Sequence, residues 1–245
     1  MTGNPAVLVE HLHKRYRDNV AVQDVSFSVE PGEVFGILGT NGAGKTTTVE
    51  MIAGLRAPDG GRVRVLGLDP RRDRRAVRHL LGVQLQEARL HDSLTVAELV
   101  ELYRSFYPDP RPAGELLEMV ELTAKRGTRF ERLSGGQQQR LSIALALAGR
   151  PEVVILDELT TGLDPRARRR IWASIASLRE ESVLLVSHAM DEVEELCDRV
   201  ALLEAGRLLA LGTPAELVAK SGTSSLEEAF VALTGHRVEE QEDVA

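Results

Sequence analysis

The chain has 245 residues, 43% hydrophobic and 27% charged, with a net charge of −7. Such a length and balance describe a soluble globular protein of one large domain, or one domain with an insertion. The acidic balance, with only 4% aromatic residues, argues against nucleic acid as the main partner.

The N-terminus, MTGNPAVLVEHLHKRY, lacks the basic start and unbroken apolar run of a signal peptide. Alternation begins at Val25, Phe27 and Val29, which face one way while Ser26 and Ser28 face the other. That period of two predicts a half-buried strand of an antiparallel pair. Pro31-Gly32 marks a turn, and Val34–Leu38 is a short apolar run that enters a glycine-rich loop. A helix follows from Lys45 to Ala53, with Gly54 as its stop. Strands are expected at Val63–Val65 and Leu81–Leu85, and RRDRRAVRH, Arg71–His79, reads as a solvated basic helix face.

From Thr95 to Leu122 the pattern turns helical, with Thr95 and Glu98 spaced as a capping box. Ser134 and Gln137 repeat that spacing at the head of a helix that runs through Ala148. Next come an apolar strand at Val153–Leu156 and a helix behind Asp164-Pro165, where Asp caps and Pro fits the first turn. A strand at Val183–Val186, a short helix near Met190–Cys197, and strands at Val200–Leu203 and Arg207–Ala210 around the turn Ala205-Gly206 follow. Ser225–Gly235, SLEEAFVALTG, reads as an amphipathic capping helix. Apolar strands alternating with helices predict an α/β fold with a parallel core sheet covered on both faces. The expected domain covers residues 6–235, with an N-terminal antiparallel β subdomain and a helical subdomain inserted at about 88–150. Residues 236–245 read as an acidic, disordered tail. No stretch approaches the ~20 apolar residues of a membrane-spanning helix. The single cysteine, Cys197, excludes an intramolecular disulfide, which fits a reducing compartment, and reads as a small apolar packer.

Three segments carry chemistry. GTNGAGKTT, comprising Gly39, Thr40, Asn41, Gly42, Ala43, Gly44, Lys45, Thr46 and Thr47, satisfies the phosphate-loop pattern of P-loop NTPases. Glycines let backbone N–H groups approach phosphate oxygens, and the following helix presents its positive end to the anion. Lys45 is placed to reach the β and γ phosphates of ATP, and the Thr46 hydroxyl to ligate Mg²⁺. VVILDE, Val153–Glu158, delivers Asp157 to the end of an apolar strand as a Mg²⁺ carboxylate, with Glu158 beside it to polarise water. LSGGQQQR, Leu133–Arg140, opens a helix with Ser134, Gly135, Gly136 and Gln137, a second anion-binding terminus. Two glycines in a first turn cost helix stability, so capping alone does not account for them.

With LSGGQ in this order and spacing, the chain resembles the ATP-binding subunits of ABC transporters over about residues 6–235. The resemblance implies that Tyr16 stacks on adenine, against a competing role as a core tyrosine. Gln86 resembles the glutamine that contacts Mg²⁺ and senses the membrane partner; Gln84 competes for that role. Asp164, in TTGLD, resembles the loop that communicates between subunits. His188, in LLVSHAMDE, resembles the histidine at the γ phosphate; His11, His13, His79, His91 and His236 have no such context. The family often carries proline where this chain has Thr40 and Leu159.

The family's architecture implies two copies paired head to tail around two ATP molecules, each site completed by the partner's Ser134–Gln137. It also implies a separate multi-span permease, with the chain at the cytoplasmic face of the cell membrane. The closing helix resembles that of bacterial multidrug and antibiotic-resistance exporters, and export of a drug, antibiotic or lipid-like substrate is expected. The rival reading is a soluble ABC-type ATPase acting on ribosomes or DNA. Translation-factor relatives usually carry two such domains and DNA-repair relatives insert coiled coils; one loop, one signature and no heptad run are seen here.

Overall fold

The computed structural model describes residues 4–84, 90–158, 160, 163–178 and 180–235. The chain opens with strands β1 (Val7–Tyr16) and β2 (Asn19–Val29), followed by β3 (Val34–Gly39), α1 (Lys45–Ile52) and β4 (Gly60–Val65). Then come α2 (Arg74–Leu80), β5 (Leu81–Gln84), α3 (Val96–Arg104), α4 (Ala113–Met119) and α5 (Gly135–Ala146). The C-terminal half contains β6 (Val153–Asp157), α6 (Pro165–Ala176), β7 (Ser182–Ser187), α7 (Met190–Leu196), β8 (Arg199–Glu204), β9 (Arg207–Gly212), α8 (Pro214–Ser221) and α9 (Leu226–Thr234).

Among the described residues these strands form two sheets. An antiparallel sheet of order β2–β1–β4 holds the predicted alternation: Val25, Phe27 and Val29 are buried, while Ser26 and Ser28 are half-buried. The second sheet has the order β5–β6–β7–β3–β8–β9 and is parallel except at its β9 edge. The expectation of a parallel core sheet therefore holds for five strands, and the sixth makes the sheet mixed. Ala205 and Gly206 alone separate β8 from β9, both with positive φ, and so short a turn joins only antiparallel strands.

Period-two geometry divides the core into two layers. Phe35, Ile37, Val153, Ile155, Leu184, Val186, Ala201 and Leu203 face one side, in one cluster with residues of the antiparallel sheet, α1 and α2. Leu38, Val154, Leu156, Val183, Leu185, Val200 and Leu202 face the other, in one cluster with residues of α3 to α9. Strands buried on both faces read as continuous apolar runs, as observed.

Three corrections concern elements. The helical stretch expected from Thr95 to Leu122 is two helices, because Pro108, Pro110 and Pro112 interrupt it and Pro112 is the residue before α4. β1 begins well before the first predicted strand. Its alternation is hidden by register shifts between Val9 and Leu12 and by His11 at φ 49°. Helix α8, with Thr213 and Glu216 as a full capping box, adds an element between β9 and the predicted closing helix. No helix among the described residues is long and apolar enough to cross a membrane. The tail 236–245 lies outside the described residues.

Candidate functional site

The loop after β3 is shaped by contacts that tolerate no side chain. A Cβ on Gly39 would lie 2.3 Å from the Leu203 carbonyl oxygen, and one on Gly44 would lie 2.4 Å from that of Ala21. Gly44, at φ 98°, also occupies a backbone region that side chains rarely adopt. The loop is clasped from behind: the Gly206 N–H donates to the Ala43 carbonyl at 3.0 Å, and the Gln23 N–H donates to the Gly206 carbonyl at 2.6 Å. The Thr40 hydroxyl donates to Glu204 Oε2 at 2.9 Å. Asn41, Gly42 and Thr46 are exposed at the mouth, and Thr47 is half-buried.

Lys45 is buried at the head of α1, its ammonium donating to the carbonyls of Gly39 (2.9 Å) and Thr40 (3.0 Å). Burial pulls its pKa down, while the nearby carboxylates of Glu158, Asp157 and Glu204 favour the charged form. Parallel packing of β3 with β7, and of β7 with β6, brings the ends of these strands side by side. Asp157 ends β6 at 1% exposure, and neither carboxylate oxygen has a partner among the described residues. Burial first, then the charge of Glu158, pushes its pKa up to about 6, against the pull of Lys45. Two buried carboxylate oxygens without a hydrogen-bond partner among the described residues fit a hard, oxygen-seeking cation such as Mg²⁺.

At Glu158 the strand stops: its φ is 49°, and its N–H donates to the Val186 carbonyl at 2.9 Å. The turn sends its carboxylate to His188, with Oε1 3.6 Å from Nδ1, an ion-pair separation rather than a hydrogen bond. His188 beside it holds Glu158 below the usual carboxylate range despite partial burial. The structure therefore brings together Lys45 at the head of α1, Asp157 and Glu158 at the end of β6, and His188 just past the end of β7.

Gln86 and Leu159 lie outside the described residues. The competing Gln84 is 4% exposed, and its Oε1 accepts the Asp157 N–H at 3.0 Å, so it pins the β6 end from β5. Tyr16 closes β1, half-buried, with the Arg56 guanidinium 5.1 Å and the Lys14 ammonium 5.5 Å from its ring centre. It is thus no core tyrosine. Two acidic groups escaped the sequence reading. Glu204 braces Thr40, and no spacing rule marks it. Glu192 is fully buried in α7, one turn after His188, and an acid beside the buried Val193 was the available signal.

The glycine-rich helix α5 presents a different surface. The Ser134 side chain accepts the Gln137 N–H at 3.4 Å while Gln137 Oε1 accepts the Ser134 N–H at 3.0 Å, the predicted capping box. A Cβ on Gly135 would meet nothing within 4 Å, whereas one on Gly136 would lie 3.1 Å from Ala167 Cβ. Asp164 caps α6, accepting from Arg166 (2.9 Å) and Ala167 (3.0 Å), which holds its carboxyl below the usual range. Ser134, Gly135, Gly136, Gln137 and Asp164 line a cleft of about 390 Å³ whose walls include none of Lys45, Asp157, Glu158 and His188. The end of the glycine-rich helix and the Lys45 cluster thus belong to separate surfaces among the described residues.

Residues 22–161 match the family described as ABC transporter, a span holding both the phosphate loop and the glycine-rich helix. The chain belongs to the ABC transporter family. Its curated relatives include the Nod factor export ATP-binding protein I of Neorhizobium galegae, 43% identical over 210 residues, covering 83% of this chain and 60% of that protein. The protein of the same name from Rhizobium etli is 42% identical over 220 residues, covering 87% and 70% respectively. The chain thus spans less than two thirds of the first relative's length. Among solved structures, an ATP-binding subunit of an ABC transporter superposes with a TM-score of 0.84 at 28% identity, covering 93% of this chain and 99% of its own. A dimeric ATP-binding cassette in a post-hydrolysis state with ADP and Pi gives 0.76 at 28% identity, covering 84% and 98%. This chain is an ABC-type ATP-binding domain.

Proposed function

We propose that this ABC cassette powers export through a separate membrane permease, hydrolysing ATP between two copies of itself at the cytoplasmic face of the membrane. The convergence of Lys45, Asp157, Glu158 and His188 at neighbouring strand ends, apart from the Ser134–Gln137 surface, is the observation that carries it. Half-sites separated on one chain would meet if two chains paired head to tail, and a solved cassette that resembles this one is dimeric. Export is the direction favoured by the relatives' names, and a drug-like, antibiotic or lipid-like compound is the substrate class suggested by the resemblance of the closing helix.

In this reading Gly39–Thr47 wraps the phosphates, Tyr16 stacks on adenine, and the partner copy's Ser134–Gln137 closes on the γ phosphate. Lys45 neutralises charge on the β and γ phosphates, whose approach offsets the burial of its ammonium. Thr46, Asp157 and Gln86 would hold Mg²⁺, which when bound spreads the charge of the phosphate oxygens. Glu158, ionised and fixed near His188, takes a proton from water as the water oxygen bonds to the γ phosphorus. The bond from that phosphorus to the bridging oxygen breaks, leaving ADP and inorganic phosphate. His188 holds the γ phosphate, and Asp164 faces the partner copy.

Loss of a general base costs about 10²–10⁴-fold. Glu158→Gln is therefore expected to lower ATP turnover by that order, keep ATP affinity, and elute as a dimer with ATP and Mg²⁺ in gel filtration. Turnover at the wild-type rate would remove Glu158 from its role, and a monomer under those conditions would remove the paired site.

A further inference from the structure

Glu192 is fully buried, one turn beyond His188, and no step of the reaction uses it. A carboxylate in that position is costly unless its oxygens are engaged. Here both are. Oε2 accepts the Ser187 hydroxyl at 2.5 Å, and Oε1 accepts the Trp172 indole N–H at 3.2 Å. The Thr160 hydroxyl also favours the ionised carboxylate, although burial raises its pKa on balance. The Ser187 oxygen in turn accepts the Ala189 N–H at 3.0 Å.

These partners are not scattered. Ser187 and Ala189 are the two neighbours of His188, so one carboxylate fixes both sides of the histidine. Thr160, 4% exposed, lies two residues beyond Glu158. Trp172 stands two turns into α6, the helix that Asp164 caps at the edge of the signature cleft. A second clasp, Arg168 to Asp191 at 2.7 Å, ties the same two helices beside it. A helix carrying the subunit-facing cap and a loop carrying the phosphate-facing histidine are thus joined through one buried side chain.

We propose that Glu192 is a positioning residue, setting His188 against the γ phosphate and coupling it to α6 and the signature cleft. This rests on the role given above to His188. Glutamine at 192 keeps the volume of the side chain but can accept fully only one of the two donors, so the bracket around His188 loosens while the fold remains. A misplacement of about 1 Å costs on the order of 10²-fold in rate. Binding of ATP draws chiefly on the phosphate loop and Tyr16, to which Glu192 makes no hydrogen bond, and is expected to be kept.

The decisive measurement is a double-mutant cycle in steady-state ATPase rates of the full chain, using Glu192→Gln, His188→Ala and the pair. Glu192→Gln is expected to lower kcat between about 10-fold and about 10²-fold with KM for ATP within about twofold. The double variant is expected to be no slower than His188→Ala alone, because both changes remove one unit. Wild-type kcat in Glu192→Gln, or losses that multiply in the double variant, would overturn the proposal. Wild-type kcat in His188→Ala would instead overturn the role of His188 itself. Should Glu192→Gln fail to fold, Ser187→Ala breaks the same bracket with less burial at stake and is expected to show the same split; its wild-type kcat would equally refute the proposal.

Discussion

Asp157 is 1% exposed, and its two oxygens have no partner among the described residues. A buried, unpaired polar group costs about 1–3 kcal/mol, and more when charged. Asp157 therefore carries a local destabilisation that a bound cation would relieve. Asparagine at this position keeps the shape and removes the charge. Asp157→Asn is expected to raise the melting temperature of the nucleotide-free protein at neutral pH by a few degrees, about 1 kcal/mol at ~2–4 °C per kcal/mol. The same variant is expected to lose the further rise that Mg²⁺ and ATP together give the wild type. Differential scanning calorimetry with and without the ligands checks both halves. An unchanged or lower melting temperature in the nucleotide-free variant would mean that the buried carboxylate is not a burden. Neighbouring Glu158 shows the opposite balance, since His188 holds its carboxyl down. One strand end thus sets two adjacent acids in different environments, which suits one to a cation and the other to a proton.

At the scale of elements, the phosphate loop owes its shape to segments far away in sequence. The Gly206 N–H, the Ala21 carbonyl that excludes a side chain at Gly44, and the Thr40–Glu204 bond all press on it from β2 and the β8–β9 turn. Thr40 stands where the family often carries proline, and its bond to Glu204 restrains the loop by other means. Thr40→Val keeps the volume and removes that bond, worth about 1 kcal/mol net. ATP affinity is expected to fall by roughly fivefold, read by titrating a fluorescent ATP analogue, and wild-type affinity would show the loop to be shaped without it. The sequence made the loop legible because its requirements are local: an apolar strand, glycines and a helix start follow one another. The signature helix was legible for the same reason, its cap and glycines lying within four residues. The bracing was not, because Glu204 becomes significant only when β8 lies beside β3. Gln84 illustrates the same limit, since its bond to the Asp157 N–H exists only across the β5–β6 pairing. β1 escaped for a different reason: a bulge at His11 breaks the alternation that would mark it. The capping box at Thr213 and Glu216 was available in the sequence and would have found α8.

For the whole molecule, the consequential feature is the distance between function and completeness. The cleft at Ser134–Gln137 excludes every group of the Lys45, Asp157, Glu158 and His188 cluster, so in the proposed pairing a single chain holds two halves that would serve two different sites. Mixing variants tests this directly. Lys45→Ala damages the phosphate loop and leaves the signature surface whole. Gly135→Asp does the reverse: its Cβ would meet no atom within 4 Å, and it sits in the first turn of a helix, where a carboxylate is tolerated. The variant is expected to fold, and it puts negative charge where the partner's γ phosphate should approach. Each variant alone is expected to be inactive. In a mixed dimer one site combines both defects, while the other combines the intact loop of one chain with the intact signature of its partner. With random pairing of equal amounts, half the dimers are mixed and each has one whole site, so roughly a quarter of wild-type turnover should return. A site complete within one chain gives no recovery on mixing at any ratio, and that result would require the two halves of this cassette to work without a partner.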